Sequence, residues 1–132
     1  MRSDSDPSKT HEVRFPTSGR YKTMGVDRAE FGIVQLLDHS LRGHEAFPQL
    51  MRILQELCEA AATAQAPDGG FHSILDDART PICIHDTSWF GSSFLRGIRM
   101  GYLDPKFLDP DLQCWHALKS RIISWWESQY PA

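Results

Sequence analysis

Four stretches of the sequence repeat apolar residues at every third or fourth position, and this spacing constrains the fold more than any other feature. Such a repeat places the apolar side chains on one face of a helix and leaves the residues between them for water. The first stretch has a face made of Val26, Glu30, Ile33, Leu37 and Leu41. It predicts a helix from Val26 to Leu41 that ends by Gly43.

The other three stretches carry start and stop signals of helices. The second runs from near Pro48 to Gln65 and is broken by the sequence PDGG. The third ends near Gly101 and the fourth, opened by Asp109 and a proline, stops before Pro131. The third can begin at any of three capping residues: Asp86, Thr87 or Ser88. Apolar positions of the fourth are Leu112, Trp115, Leu118 or Lys119, Ile122 and Trp126. The sequence therefore predicts an all-α fold.

A short extended segment separates the second and third predicted helices. From Phe71 to His85 it contains two runs typical of β-strands, FHSIL and PICIH, around the turn-like sequence DDART. Strands this short are marginal on their own. We therefore expect a small β-hairpin that packs against the helices.

The composition fits one domain without a surface for nucleic acid. The chain has 132 residues and a formal net charge of -3, so it lacks the basic excess that phosphate binding requires. It contains neither eighteen consecutive apolar residues nor an apolar run typical of a signal peptide near its start. We expect no membrane partner and a cytoplasmic location. Residues 1–24 are expected to form an irregular polar tail, and residues 25–132 the domain.

The cysteines and histidines do not indicate a metal or disulfide framework. Cys58, Cys83 and Cys114 lie far apart and form no C-x-x-C pair. The six histidines form neither H-x-x-x-H nor H-E-x-x-H. We expect reduced, mostly buried thiols, no metal site and no cofactor.

The third predicted helix opens with the unusual sequence HDTSWFGSSFLRG. Glycine inside a helix costs about 1 kcal/mol relative to alanine, so Gly91 and Gly97, with Ser92 and Ser93, indicate a face that another backbone approaches closely. Tight helix packing is the simplest cause. Trp89 falls in the first predicted turn, where its ring could stack on a ligand while free amide groups bind a polar or anionic group. The alternative for Trp89 is an ordinary buried aromatic residue.

Two spaced segments carry a family pattern. Residues Asp68, Gly69, His72, Leu75 and Asp76 fit the pattern D-G-x-W-H-Q-x-L-D. Residues Asp86, Thr87, Ser88, Arg96, Gly97, Arg99, Gly101, Tyr102 and Leu103 fit an E/D-T-S helix with a K/R-G-x-R-x-G-Y-L ending. In these segments the chain resembles the carboxy-terminal region of the unsaturated glucuronyl and rhamnogalacturonyl hydrolases, glycoside hydrolase families 88 and 105. A third family pattern, W-x-R-G-N-G-W, aligns on Gly25 and places its arginine at Lys22 and its second tryptophan at Val26.

The resemblance implies an (α/α)6 toroid of six helix pairs, of which this chain would form a part. The central cleft of such a toroid holds an oligosaccharide with a 4,5-unsaturated uronic acid at its non-reducing end. In the family an aspartate protonates the enol-ether double bond and activates water, so that the hydrated sugar opens and the glycosidic bond breaks. We expect the substrate-binding residues of this chain to be Lys22, Phe71, His72, Asp86, Ser88 and Trp89.

The family's two important aspartates lie on segments upstream of the matched region, so we expect no catalytic residue in this chain. The leading hypothesis is a truncated or assembly-dependent relative of these hydrolases, which pairs with another copy or a complementing chain. One alternative is a non-catalytic module that binds carbohydrate or protein. Another is a reduced scaffold recruited for a different small-molecule reaction.

Overall fold

The computed structural model describes residues 23–39 and 42–131, except for the side chain of Met24. These residues form four α-helices: α1 (Thr23–His39), α2 (Phe47–Ala64), α3 (Ile84–Arg99) and α4 (Leu108–Gln129). A 3-10 turn, Pro105–Phe107, leads directly into α4. The described residues contain no β-strand, so the all-α prediction is confirmed. The predicted end of the first helix, Leu41, lies outside the described residues, as does most of the predicted tail.

The helices form two pairs, α1 with α2 and α3 with α4, and the pairs are joined by contacts between α1 and α3. Helix α1 packs against α2 and α3, and α3 packs against α4. Between them lies a row of aromatic rings: Phe71 stacks on Phe90 with centroids 4.1 Å apart, and Phe94 lies 5.8 Å from Phe107. All four rings are buried, and their burial is a main source of stabilisation for a domain of this size. A six-pair toroid would contain further helix pairs, and it remains a prediction.

The ends of the helices follow local sequence signals except at the starts of α3 and α4. Helix α4 begins at Leu108, before the predicted cap Asp109, and its capping residue Phe107 makes no side-chain hydrogen bond. Helix α2 has Pro48 in its first turn, and Gly101, with a φ of 77°, follows the end of α3. Helix α3 begins at Ile84, earlier than its predicted caps, because Cys83 takes the capping position and its sulfur accepts the amide hydrogen of Asp86. Asp86 and Thr87 are therefore part of the first turn.

The predicted β-hairpin is reduced to a single antiparallel bridge between His72 and Ile82. Two hydrogen bonds frame this bridge, from Ser73 N to Pro81 O at 2.9 Å and from Cys83 N to Phe71 O at 2.8 Å. Pro81 has no amide hydrogen to return to Ser73, so the ladder cannot continue on that side. The helices bind the backbone groups that a longer ladder would have used.

The predicted close approach to the glycines of α3 occurs within this chain. A Cβ atom at Gly91 would lie 3.2 Å from Cβ of Cys114 on α4, and one at Gly97 would lie 2.5 Å from Leu103 Cδ1. Gly91 thus lets α3 and α4 pack closely, as the simplest interpretation of the sequence predicted. Ser93 is buried, whereas Ser92 is exposed on the same helix.

The apolar positions predicted for the fourth helix form a second, exposed face. Helix α4 packs on α3 through Asp111, Cys114, Ala117 and Leu118, which are buried. Four of the predicted positions, Leu112, Trp115, Ile122 and Trp126, are each more than half exposed. The helix is therefore apolar on two sides, and only one of them contacts the described domain.

Candidate functional site

Three segments that carry the family patterns meet at the amino-terminal ends of α1 and α3. Thr23, the first residue of α1, donates its hydroxyl hydrogen to His72 O and its amide hydrogen to Ser73 O, the latter at 3.2 Å. The amide hydrogen of Phe71 is donated to Thr87 Oγ1 on α3 at 3.0 Å. These bonds fix the segment around His72 between two helices that are separated by many residues along the chain.

A pair of carboxyl groups lies between these two helix ends. Asp27 of α1 is fully buried, and Asp86 of α3 is 5% exposed. Within the described ranges no hydrogen-bond donor reaches either carboxyl oxygen of Asp27. Burial, followed by the neighbouring carboxyl of Asp86, raises the pKa of Asp27 to about 8. Asp27 therefore carries a proton at neutral pH.

A third carboxyl group, that of Glu30, lies one turn further along α1. It is fully buried, and burial raises its pKa to about 8, whereas the neighbouring Cys58 thiol acts in the opposite direction. Among the described residues no donor of ordinary geometry reaches either carboxyl oxygen of Glu30. A buried carboxyl without such donors is stable only in its neutral form. Burial also raises the pKa of Cys58 far above its usual value.

Aromatic side chains lie directly beside the carboxyl pair. Trp89 follows Asp86 by three residues on α3, and Phe31 follows Asp27 by four on α1, so both project from the same side as the acids. Their rings contact edge to face with centroids 4.5 Å apart. Trp89 Nε1 donates a hydrogen bond to His85 Nε2 at 3.0 Å. Trp89 is half-buried, which leaves part of its ring open to a ligand.

The structure corrects the predicted position of Trp89 along its helix. Because α3 begins at Ile84, Trp89 lies in the second turn and not among the free amide groups of the first. A polar or anionic ligand held by those amides would therefore not lie directly beside its ring. Its indole is positioned by His85 and Phe31, and stacking on a sugar remains open to it.

The remaining predicted binding residues fall in different environments. Phe71 is fully buried against Phe90, which gives it a packing role. His72 is half-buried, and its Nδ1 lies 2.6 Å from Thr80 O. Ser88 donates its hydroxyl hydrogen to His85 O at 2.7 Å. Lys22 lies outside the described residues.

The sequence analysis did not identify three residues of this site: Asp27, Glu30 and Phe31. One signal was available for Glu30, because an acidic residue occupied the apolar face of the first predicted helix. Nothing local distinguished Asp27, since its partner Asp86 lies on another helix. The two carboxyl groups become neighbours only when the chain is folded.

A groove between α3 and α4 opens on the other side of α3. Its volume is about 430 Å³, and its walls include Ser88, Ser92, Leu95, Leu112 and Trp115. Ser88 is the only predicted binding residue among those that line it. Burial raises the pKa of Asp111, which lies at its floor.

Within the described ranges there is no group of three or more histidine, cysteine or acidic side chains that could hold a metal ion. The same residues include no helix that is both long and apolar enough to cross a lipid bilayer.

A model of glycosyl hydrolase family 88 matches residues 29–125, which is well over half of the chain. The chain belongs to glycosyl hydrolase family 88. The prediction made from the two spaced segments is thereby confirmed. No curated protein matches the chain at a significant level.

Solved structures of families 88 and 105 share the fold. The family 88 hydrolase from Bacteroides vulgatus aligns with a TM-score of 0.74 at 20% identity, covering 76% of this chain and 30% of that protein. A possible family 105 member from Klebsiella pneumoniae aligns with a TM-score of 0.73 at 18% identity, covering 84% and 30%. The family 105 hydrolase from C. acetobutylicum gives a TM-score of 0.73 at 18% identity, covering 86% and 33%. This chain thus spans about a third of the length of the solved relatives.

Proposed function

We propose that this chain supplies part of the saccharide-binding wall of an unsaturated uronyl hydrolase of the family 88 and 105 type. The observation that carries the proposal is the convergence of three family-patterned segments at the carboxyl pair of Asp27 and Asp86. Thr23 and Thr87 hold the His72 segment in that place through backbone hydrogen bonds. Such cross-linking of loop and helix ends fixes side chains for binding.

The side chains at this place have the chemistry that a sugar ring requires. The partly open ring of Trp89 offers an apolar face for the C–H groups of a sugar. The edge-to-face contact with Phe31 fixes the position of that ring. Ser88 and His72 offer acceptors and donors for hydroxyl groups. Lys22, which precedes Thr23, is proposed to bind the uronate carboxylate as a point charge.

The chemical step is assigned to residues outside this chain. Asp27, whose pKa is raised to about 8, holds a proton at neutral pH, which is a property of a general acid. However, only 5% of Asp86 and none of Asp27 is exposed, so the pair has almost no surface from which to reach an enol ether. We therefore propose a truncated or assembly-dependent hydrolase in which this chain binds and another part of the fold protonates.

An unsaturated uronyl disaccharide tests the proposal with two readouts. Binding is followed by tryptophan fluorescence, and turnover by the ultraviolet absorbance of the double bond. We expect saturable binding without turnover by the chain alone. Trp89→Leu should weaken binding about 10-fold through loss of the stacking face. Trp125→Leu, which changes an exposed tryptophan on α4, is the matched control and should bind as the unaltered chain does.

The possible outcomes separate the parts of the proposal. Turnover by the chain alone would refute the assignment of the proton donor to another segment but would retain saccharide binding. Absence of binding at millimolar disaccharide, or equal losses in the two tryptophan variants, would refute the binding wall itself.

A second candidate function, a protein interaction module, is favoured by a different observation. Helix α4 exposes more than half of the surface of Trp115, Trp125, Trp126 and several aliphatic side chains. If the disaccharide does not bind, this surface becomes the main functional feature of the chain.

A further inference from the structure

About half of the large apolar side chains that the described residues leave exposed lie on one edge, which we call the α3–α4 edge; others on α4 are Ile123, Trp125 and Tyr130. Its members are Leu95 of α3 and Leu108, Leu112, Trp115, Ile122 and Trp126 of α4, each between 43% and 59% exposed. Together they expose on the order of 600 Å² of apolar surface. This area is at the upper limit of the largest patch on a typical monomer. It is also most of the roughly 800 Å² that each partner buries in a standard protein interface.

The spacing of the α4 residues indicates that a helix covers them. The positions 108, 112, 115, 122 and 126, with Lys119 between, are separated by alternating steps of four and three. Such a seam fits a partner helix that crosses at a shallow angle. Neither an irregular peptide nor a small ligand would require apolar residues at this spacing over five turns of helix.

The edge has the shape to fit another copy of itself. The groove of about 430 Å³ lies beside the seam, with Gly91 and Ser92 where larger side chains would fill it. Trp115 and Leu112 form one wall of the groove and also protrude from the seam. A projecting side chain next to a recess is the arrangement that a twofold interface uses twice.

The opposite side of the molecule does not offer a complementary surface. Helices α1 and α2 expose mainly polar residues, such as Arg28, Gln49, Arg52 and Glu56. Large exposed hydrophobic residues on these helices, within the described ranges, are limited to Leu36 and Ile53. Head-to-tail association would bury charged side chains against the apolar seam, so like edges meet and the assembly closes at two copies.

We propose that two copies of this chain associate through their α3–α4 edges into a symmetric dimer. This inference goes beyond the proposed function and does not depend on saccharide binding. Ser88, which lines the groove, then lies at the border between the carboxyl site and the interface.

Sedimentation velocity of the full chain tests the dimer from about 1 to 100 µM, the range in which interfaces of this size commonly dissociate. Ile122→Glu introduces a charge within the seam in both copies, and we expect it to weaken association at least about 100-fold. Leu36→Glu is the matched control because Leu36 and Ile122 are both 55% exposed. It should associate as the unaltered chain does. Circular dichroism establishes that both variants keep their helix content.

Three outcomes would overturn the dimer. The unaltered chain could be a monomer at every concentration, which would mean that a different polypeptide covers the edge. Ile122→Glu could remain a dimer with its helices intact. Finally, both variants could reduce an open-ended assembly equally, which would identify nonspecific association of exposed apolar residues. If Ile122→Glu fails to fold, cross-linking of a Trp115→Cys variant through its new thiol provides the same test, since only a symmetric α3–α4 contact brings the two copies of that thiol together.

Discussion

The interior between α1 and α3 contains acidic residues, whereas the outer surface of α4 contains apolar ones. Both are the reverse of the usual distribution in a folded protein. The first buries three acidic side chains, Asp27, Glu30 and Asp86, within a helical domain. The second exposes three tryptophans and a row of aliphatic residues. Acidic residues are almost never fully buried unless they are paired, and monomers seldom expose a continuous apolar seam. Both regions therefore require an explanation, and the explanations differ.

The buried acids are retained because they can become neutral. The pKa values of Asp27 and Glu30 are both raised to about 8, so at neutral pH each carries a proton and adds no charge to the core. A neutral carboxyl still costs free energy when its hydrogen bonds are incomplete, but far less than an ionised one. Proton uptake thus lowers the free-energy cost of burying these carboxyls without help from a second chain.

The exposed seam has no compensation inside this chain. Apolar surface has no alternative protonation state, and the core-facing side of α4 is already occupied by α3. Its burial can come only from another helical surface. The stability of the interior is therefore expected to depend on pH, whereas the burial of the edge is expected to depend on protein concentration.

The largest expected effect is a loss of stability as pH rises. The usual pKa values of Asp27 and Glu30 are 3.8 and 4.5, and in the folded chain both are raised to about 8. Between these values the folded state binds more protons than the unfolded state, so the stabilisation present below about pH 4 is lost as pH rises through about 8. We expect the free energy of unfolding to fall by several kcal/mol from pH 5 to pH 9, because each pKa unit between the two states is worth about 1.4 kcal/mol per group. Urea titrations at a series of pH values measure it.

A variant of one acid assigns this pH dependence to the interior. Glu30→Gln replaces the carboxyl with an amide of the same shape that cannot ionise, so its unfolding free energy should depend less on pH and exceed that of the unaltered chain at pH 9. Glu56→Gln changes an exposed glutamate on α2 and should leave the dependence unchanged. Equal slopes in all three proteins would show that the buried acids do not take up protons as described.

The next effect contrasts one residue type in the two environments. Leu54 of α2 is fully buried, whereas Leu112 of α4 is 53% exposed. Leu54→Ala should lower the unfolding free energy by about 3 kcal/mol because it leaves a cavity in the core. Leu112→Ala should change it by less than about 0.5 kcal/mol when the protein is too dilute to associate. A large loss for Leu112→Ala under those conditions would mean that the seam packs within one chain.

The helices could be predicted where each signal was local. Pro48 and the PDGG sequence set the ends of α2, and Gly101 supplied the left-handed residue after α3. The start of α3 was predicted too late because Asp86, Thr87 and Ser88 are better caps by type than Cys83. The bridge between His72 and Ile82 places Cys83 directly before the helix, where its sulfur accepts the amide hydrogen of Asp86.

The site and the hairpin could not be predicted because competing partners decide them. In isolation, residues 71–85 favour a hairpin, but Thr23 and Thr87 bind the backbone of Ser73 and Phe71 instead. The acid pair likewise needs α1 and α3 side by side. Contacts of this kind join residues about fifteen to sixty positions apart, and a periodic pattern carries no information about them. Membership of family 88 was accessible because its patterned segments are contiguous.

The smallest expected effect separates the carboxyl site from the edge at the residue where they meet. Ser88 and Ser92 lie one turn apart on α3 and both line the groove, but Ser88 also donates a hydrogen bond to His85 O near the acid pair. Ser88→Ala should change stability by no more than about 0.5 kcal/mol, because an exposed backbone oxygen regains water. It should nevertheless weaken binding of the unsaturated disaccharide about threefold, through loss of one hydroxyl contact. Ser92→Ala should alter neither quantity. If instead Ser92→Ala weakens the saccharide and Ser88→Ala does not, the sugar lies in the groove between α3 and α4, and binding and dimerisation would then compete for one surface.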